Sequence, residues 1–464
     1  MKNLNMKIEE LKEDLIRNTQ NIIKIKSVES EPKEGKPFGE EVSKALDFTL
    51  NLCTELGFKT VNLDGYIGYA EYGIGEEYVG VLGHLDVVPE GDGWIYPPYG
   101  AEIHDGKIFG RGTTDDKGPM IAALYGLKAI KELNIPLSKK VRIIFGTNEE
   151  SGCKEMEYYN EREKPPILGF TPDGEYPIIY AEKGITIFDL VKDFKVEENQ
   201  DIEIQSIKGG HRPNMVPDFC QAIIKTDNSK IVLDCLNKFK EKNKANIVAT
   251  TEGNIVTIKS YGKAAHGSLP QLGENAIMQL LKFIGKISMK ESQTKQFIDF
   301  CNKHIGLEVN GESFGIGLCD EVSGKLSFNV GTIDLDKEKV SMALNLRYPV
   351  TFKYDDMMTP LNKTLENTEI RIENMIHQEP LYFEKEHPLI KTLQKVYEEE
   401  TGLEPELLAI GGGTYAKEMK NIVAFGPIFK GEPDLDHQAN EYIKVDDLVK
   451  NAKIYGKAIY ELAK

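Results

Sequence analysis

His84, Asp115, the adjacent pair Glu149 and Glu150, Asp173 and His437 are far apart in the chain, yet each falls in a loop that follows an apolar, strand-like run. Two imidazoles and several carboxylates make a donor set suited to Zn²⁺ or a similar divalent ion, with too many donors for one tetrahedral site. Two ions bridged by a carboxylate and a water would use them all. Such a pair lowers the pKa of the shared water, polarises a carbonyl and stabilises the charges of a tetrahedral intermediate, and a remaining carboxylate can serve as general base. Asp86 stands two residues after His84, so in an extended chain both side chains point the same way. A carboxylate there can hold the second ring nitrogen of a metal-binding histidine.

Each residue also has an ordinary use. A strand-end histidine can make a single hydrogen bond, Asp115 and Asp116 precede a helix whose N-terminus favours negative charge, Glu149 and Glu150 suit a surface loop, and Pro172-Asp173-Gly174 is a turn sequence. The repetition of the pattern at five strand ends of one sheet favours a shared site. Spacing alone does not choose between Asp115 and Asp116, or between Glu149 and Glu150.

The elements that must position these groups read as an α/β domain. Tyr78 to Asp86, Tyr-Val-Gly-Val-Leu-Gly-His-Leu-Asp, is too continuously apolar for a half-exposed strand and suits one covered on both faces. Sites in open α/β sheets form beyond the carboxyl ends of such strands. Similar runs cover 141–146, 166–170 and 422–426. Apolar spacing predicts helices over 5–25, 38–56 (with Gly57 as its stop), 120–133 and 388–400. Near Gly184 the texture changes to polar-interleaved strands at 185–196, 201–208, 254–261, 326–333 and 340–348, with helical periodicity at 232–240 and 275–287. This pattern predicts an α+β domain over 186–385, inserted into a catalytic domain made of 1–185 and 386–464. Within the insert stand Asn214 in a turn, His266 in a loop and Arg347 on a strand, each with an ordinary structural reading. Gly411, Gly412 and Gly413 form either a flexible loop or a run of amides that can face an anion.

A chain of 464 residues with a formal net charge of -17 argues against nucleic acid or an anionic membrane as partner. The charged N-terminal segment lacks the apolar core of a signal peptide and no later stretch is long enough to span a bilayer, which suggests a cytoplasmic protein. Six scattered cysteines without a Cys-x-x-Cys pair read as reduced thiols.

The motifs Gly83-His84-Leu85-Asp86-Val87-Val88-Pro89, Gly110 to Gly118, Glu149-Glu150-Ser151-Gly152, Pro172-Asp173-Gly174, Ala265-His266-Gly267 and Asp436-His437-Gln438 run in order through nearly the whole chain. With them the sequence resembles the PepV-type dipeptidases of the dinuclear zinc aminoacylase/carboxypeptidase family. The resemblance implies a zinc-peptidase-like α/β catalytic domain, a mixed sheet flanked by helices, with an inserted α+β lid. It implies two Zn²⁺ per chain, replaceable by Mn²⁺ or Co²⁺. His84, Asp115 and Asp173 would hold one ion and Asp115, Glu150 and His437 the other, with Asp115 as the bridge, Asp86 clamping the His84 ring, and a cis peptide between Asp115 and Asp116. Glu149 would carry a proton from the bridging water to the leaving amine, and His266 would donate to the developing oxyanion. Asn214, Arg347 and Gly411 to Gly413 would hold the C-terminal carboxylate of a short peptide. The expected substrate is then a dipeptide with a free N-terminus, and the expected state a monomer, because the enlarged lid takes the place of a partner's. An N-acyl-amino-acid deacylase or carboxypeptidase on the same scaffold, and a non-catalytic metal or peptide-binding protein, are the alternatives.

Overall fold

All seven residues of the strand Tyr78–His84 are buried, which is what a continuous apolar run requires. It is seen in a computed structural model that describes residues 2–195 and 200–464; Val196, the end of the strand expected over 185–196, and Met1, the start of the domain expected over 1–185, lie outside the described residues. The chain forms two units. The first comprises the chain up to Tyr180 with Phe383–Leu408 and Thr414–Lys464, and the second Ala181–Tyr382 with Ala409–Gly413. The sequence suggested crossings at 185/186 and 385/386.

In the first unit the sheet order is Lys59–Leu63, Ile67–Tyr72, Lys140–Gly146, Tyr78–His84, Leu168–Thr171, Ile422–Ala424, Ile178–Glu182. The four middle strands are parallel and the outer pairings antiparallel. Of these parallel strands, Tyr78–His84 ends at His84, and Lys140–Gly146 and Leu168–Thr171 end two or three residues before Glu149 and Asp173, so their carboxyl ends share one edge. Helices Lys117–Glu132 and Val445–Ala463 pack together over this sheet. A Cβ on Gly126 would lie 2.7 Å from the backbone nitrogen of Gly456, so their crossing requires glycine.

Asp115 departs from the expected pattern. It follows Lys107–Phe109, a strand of a separate three-stranded sheet with Glu102–His104 and Tyr442–Lys444, and not a strand of the main sheet. What carries it over the sheet is the helix behind it. That helix starts at Lys117, three residues before the expected Met120, because Pro119 sits in the first turn, where its missing N–H leaves nothing unpaired. Its first turn presses on the neighbouring strand: a Cβ on Gly83 would lie 2.0 Å from Asp116 Oδ2 and 2.3 Å from Met120 Sδ. The N-terminal helix expected over 5–25 is broken at Leu11 into Lys2–Glu10 and Lys12–Ile23.

The second unit holds an antiparallel sheet in the order Asn246–Glu252, Ile255–Tyr261, Phe219–Thr226, Ile202–Gly209, Ser327–Leu335, Lys339–Tyr348, Gly184–Asp193, Arg371–Gln378. Burial alternates along Phe219–Thr226 and Ile255–Tyr261, and helices Ser229–Lys242 and Ala276–Ile284 pack on these strands. The strand Asn246–Glu252 was not expected from sequence. It forms a hairpin with Ile255–Tyr261 through Gly253-Asn254, a two-residue turn whose composition was the available signal.

Gly83→Ala is expected to lower the stability of the first unit by about 1–3 kcal/mol, the usual cost of overpacking a filled contact. Thermal unfolding followed by circular dichroism would show it, and an unchanged midpoint would mean that the helix start is not held against the strand.

Candidate metal centre

His84 closes the Tyr78–His84 strand with its ring wholly buried. Its Nδ1 lies 3.1 Å from the backbone carbonyl of Asp86 and 3.5 Å from Asp86 Oδ1. The Asp86 carboxylate has a further use: its two oxygens accept the N–H groups of Glu149 (3.2 Å) and Glu150 (3.1 Å). Asp86 therefore fixes the next strand's loop as well as facing the ring, a link that side-chain alternation does not reveal.

Asp115 stands between the two imidazoles. Its Oδ1 is 2.9 Å from His84 Nε2 and its Oδ2 is 3.2 Å from His437 Nε2. His437 Nε2 is also 2.9 Å from Glu150 Oε2. Donor atoms of His84, Asp115 and Glu150 all lie within 4.8 Å of one another. The His84 contact is not aligned as a hydrogen bond, and among the described residues His84 Nε2 and Glu150 Oε1 are buried with no hydrogen-bond partner. Asp173, beyond the Leu168–Thr171 strand, accepts the N–H of Tyr415 at 3.4 Å and is close enough to sense the charges of His84 and Asp115.

Asp116 turns elsewhere. It occupies the position before the helix without capping it through its side chain, and its Oδ2 accepts the backbone N–H of His84 at 3.2 Å. The Asp115-Asp116 peptide is cis.

Burial and mutual repulsion govern the charges. Burial, with Asp173 and the other carboxylates around it, holds Glu149 well above the usual carboxylate range. Burial and Asp115 push Glu150 to about 7. Burial, with Asp115, pushes Asp173 to about 6 and Asp436 to about 8. For Asp115 burial works the same way, but the two imidazoles outweigh it and hold it below the usual range. Hydrogen bonds to Asp115 and Glu150 raise His437 to about 11. Burial opposes a charged His84 ring, yet Asp115 and Asp86 outweigh it and keep the ring's pKa well above the ordinary value. A crowd of carboxylates stabilised by borrowed protons, with an unpartnered buried imidazole nitrogen among them, fits divalent cations, which would supply the missing positive charge.

In the second unit His266 pairs with Met215, and Gly267 N donates to Asn214 O at 2.7 Å. Asn329 Nδ2 donates to the carbonyls of Pro213 (2.9 Å) and Met215 (2.8 Å), fixing both sides of Asn214. Ser268 N donates to His266 Nδ1 at 3.3 Å, and Ser268 Oγ lies 2.6 Å from the same nitrogen. Burial and the charge of Arg347 lower the His266 pKa, so the ring is neutral near pH 7. With Nδ1 accepting, its proton sits on Nε2. Arg347 is buried, its Nε bonds Asn345 Oδ1 at 2.8 Å, and desolvation lowers its pKa to about 10. A Cβ on Gly411 would lie 3.1 Å from Ser268 Cβ, so this glycine allows a close approach to the His266 segment. Gly412 and Gly413 follow Gly411 in the chain, and Gly413 is exposed. This unit thus gathers Asn214, His266, Arg347 and Gly411.

Sequence reasoning missed Glu441, Arg111, Glu155 and Tyr415. Tyr415 Oη donates to the buried Glu155 at 2.6 Å, and a Cβ on Gly146 would lie 2.0 Å from that hydroxyl. The Gly at the end of the 141–146 run was the one available hint.

The profile of peptidase family M20/M25/M40 matches residues 80–461. A Bacillus subtilis (strain 168) protein named "Putative dipeptidase YtjP" is 40% identical over 458 residues, covering 98% of each chain. A Staphylococcus epidermidis (strain ATCC 12228 / FDA PCI 1200) protein named "Putative dipeptidase" is 37% identical over 462 residues, again 98% of each. Among solved structures, the aminoacylhistidine dipeptidase from Vibrio alginolyticus has the same fold with a TM-score of 0.59, at 16% identity over 96% of each chain. Human carnosine dipeptidase 1 gives 0.58 at 15% identity, covering 100% of this chain and 98% of that one.

The charge pattern sets a pH dependence for the metal-free protein. Glu150, Asp173 and Asp436 keep protons in the fold at pH values where the unfolded chain has released them, and His437 does the same above about 6.5. At these groups the folded state binds more protons, so the stability they contribute falls as pH rises from about 5 to 8 for the carboxylates and on toward about 11 for His437. Among the proposed metal ligands Asp115 acts in the opposite sense, and its contribution is lost only in acid, below its ordinary value of 3.8; buried Lys117, lowered to about 7, opposes the trend above that pH. Metal-stripped protein is expected to lose several degrees of melting temperature from about pH 5 to 8, whereas Zn²⁺-loaded protein should hold or gain, because metal and protons compete for the same atoms. Parallel slopes with and without Zn²⁺ would show that these groups do not bind it.

Proposed function

The chain belongs to peptidase family M20/M25/M40, and on that premise we propose that it is a dinuclear, metal-dependent dipeptidase of the PepV type, acting as a monomer on dipeptides with a free N-terminus and a C-terminal carboxylate. The observation that carries the reading is Asp115, whose two carboxylate oxygens face one imidazole each. His84, Asp115 and Asp173 would hold one ion, and Asp115, Glu150 and His437 the other. Zn²⁺ suits this mixture of nitrogen and oxygen donors, with Mn²⁺ or Co²⁺ as substitutes. Bound there, the pair would acidify a water and polarise the peptide carbonyl.

The chain's own groups do the rest. Asp86 faces the His84 ring and pins the backbone of both glutamates. Glu149 takes a proton from the attacking water and delivers it to the amine nitrogen as the C–N bond breaks. His266, neutral and carrying its proton on Nε2, is the donor to the developing oxyanion, a contribution of about 3 kcal/mol where one such donor has been removed. Arg347 offers a desolvated planar fork to the substrate's C-terminal carboxylate, supported by Asn214 and the amides of Gly411, Gly412 and Gly413. Among the described residues no helix is long and apolar enough to cross a membrane.

The test is hydrolysis of a simple dipeptide, its N-acetylated form and the matching tripeptide, by metal-stripped protein before and after Zn²⁺, Mn²⁺ or Co²⁺. Cleavage of the free dipeptide alone, and only with metal, is expected; cleavage of the acetylated form would move the protein to the deacylases. Glu149→Gln should keep both ions and lose at least about 10²-fold in kcat, the low end for a general base. Retained turnover would remove Glu149 from the role.

A further inference from the structure

The first unit contains a buried ion pair to which the proposed chemistry assigns no part. Glu441 is fully buried and Arg111 nearly so, with Arg111 Nη1 2.8 Å from Glu441 Oε2. A buried ion pair is weak evidence for stability, since apolar replacements of similar volume often do as well. The surroundings of this one explain why it must be a carboxylate. Its Oε2 also accepts the N–H of Gly112 at 3.0 Å. Its Oε1 accepts the N–H groups of Thr114 (2.9 Å) and Asp115 (3.4 Å) and the hydroxyls of Thr114 (3.1 Å) and Thr113 (3.4 Å). The Glu441 backbone carbonyl accepts Gly110 N at 3.0 Å. Gly112, at φ +87°, bends this segment so that successive amides converge on one anion.

The two strands of chain so joined are 326 positions apart between Asp115 and Glu441. One ends in Asp115; the other begins four residues earlier at His437. Arg111 ties them a second time, donating from Nη1 to the Gln438 carbonyl at 3.2 Å. The relative placement of Asp115 and His437, 3.2 Å apart at their nearest atoms, is therefore set through the Glu441 carboxylate, with Arg111 as its partner.

We propose that Glu441 is the positioning residue that holds Asp115 against His437, so that one carboxylate can bridge two ions. This rests on the reading of Asp115 and His437 as metal ligands. Glu441→Gln keeps the size but offers an NH₂ group either to Arg111 or to the converging amides, none of which can accept it. Thr114→Val removes one donor and leaves the carboxylate.

The experiment measures Zn²⁺ stoichiometry and affinity by competition with a chelator, and in parallel the melting temperature of each metal-stripped protein. Wild type is expected to bind two ions. Glu441→Gln should bind the first and weaken the second by about 10–100-fold, the usual effect of losing a group that orients a ligand, and Thr114→Val should weaken it by less. A purely structural Glu441 would lower the metal-free melting temperature while the folded protein still bound both ions as wild type does, which would overturn the proposal. If Glu441→Gln does not fold, Thr114→Val decides: undiminished affinity for both ions overturns it. Fewer than two ions on wild type would defeat the ligand assignment itself, and this proposal with it.

Discussion

Carboxylates buried beside one another in loops beyond the sheet are the constraint on which the rest of this chain depends. Asp115, Glu149, Glu150, Asp173 and Asp436 sense one another's charge; burial pushes all five upward, and four of them end above the usual range. Two imidazoles offset only Asp115. Charges buried without full compensation oppose folding, so the stability of this unit must come from elsewhere, from strands such as Tyr78–His84 and Lys140–Gly146 and from the apolar helix Lys117–Glu132. A cation at the centre turns the same crowding from a cost into a binding site.

Placing those groups needs side chains packed directly against strand backbone, and glycines at the strand ends make the room. Gly83 admits the first turn of the helix that follows Asp115, and Gly146 admits the Tyr415 hydroxyl. Tyr415 in turn directs its N–H at Asp173 and its hydroxyl at Glu155, whose pKa burial raises to about 7. Asp86 joins the ends of two strands by accepting both N–H groups of the next loop. The donor set is thus held by hydrogen bonds between loops, each made possible by a neighbour that takes no room.

The strands carrying His84, Glu149, Glu150 and Asp173 were legible because a strand covered on both faces must be apolar throughout, and the sequence announces where that ends. Asp115 was legible as a candidate but not in its setting: the helix behind it begins at Lys117, before the expected Met120, and Pro119 lies within its first turn. The Asn246–Glu252 strand was hidden by its polarity: only Ile247 among its residues is buried. Glu441 carried no local signal at all. Its partners are the amides of a segment more than three hundred positions earlier, and hydrogen bonds to backbone leave no pattern in side-chain types.

The division of roles proposed for Glu149 and Glu150, which spacing left open, is compatible with the turn they occupy. Glu149–Ser151 is a 3-10 helix, in which consecutive side chains diverge by about 120°. Asp86 fixes both backbones together, so only one of the two carboxylates can meet His437. Glu150 does, at 2.9 Å, and it is Glu150 that joins His84 and Asp115 in the donor cluster. Glu149 belongs to the same anchored turn, and burial together with the fields of Asp173 and Glu150 favours its protonated form. A base that must accept a proton and give it up again has to be near the cations without being spent as their ligand. Two adjacent residues of one type in a three-residue turn give that separation with no further element.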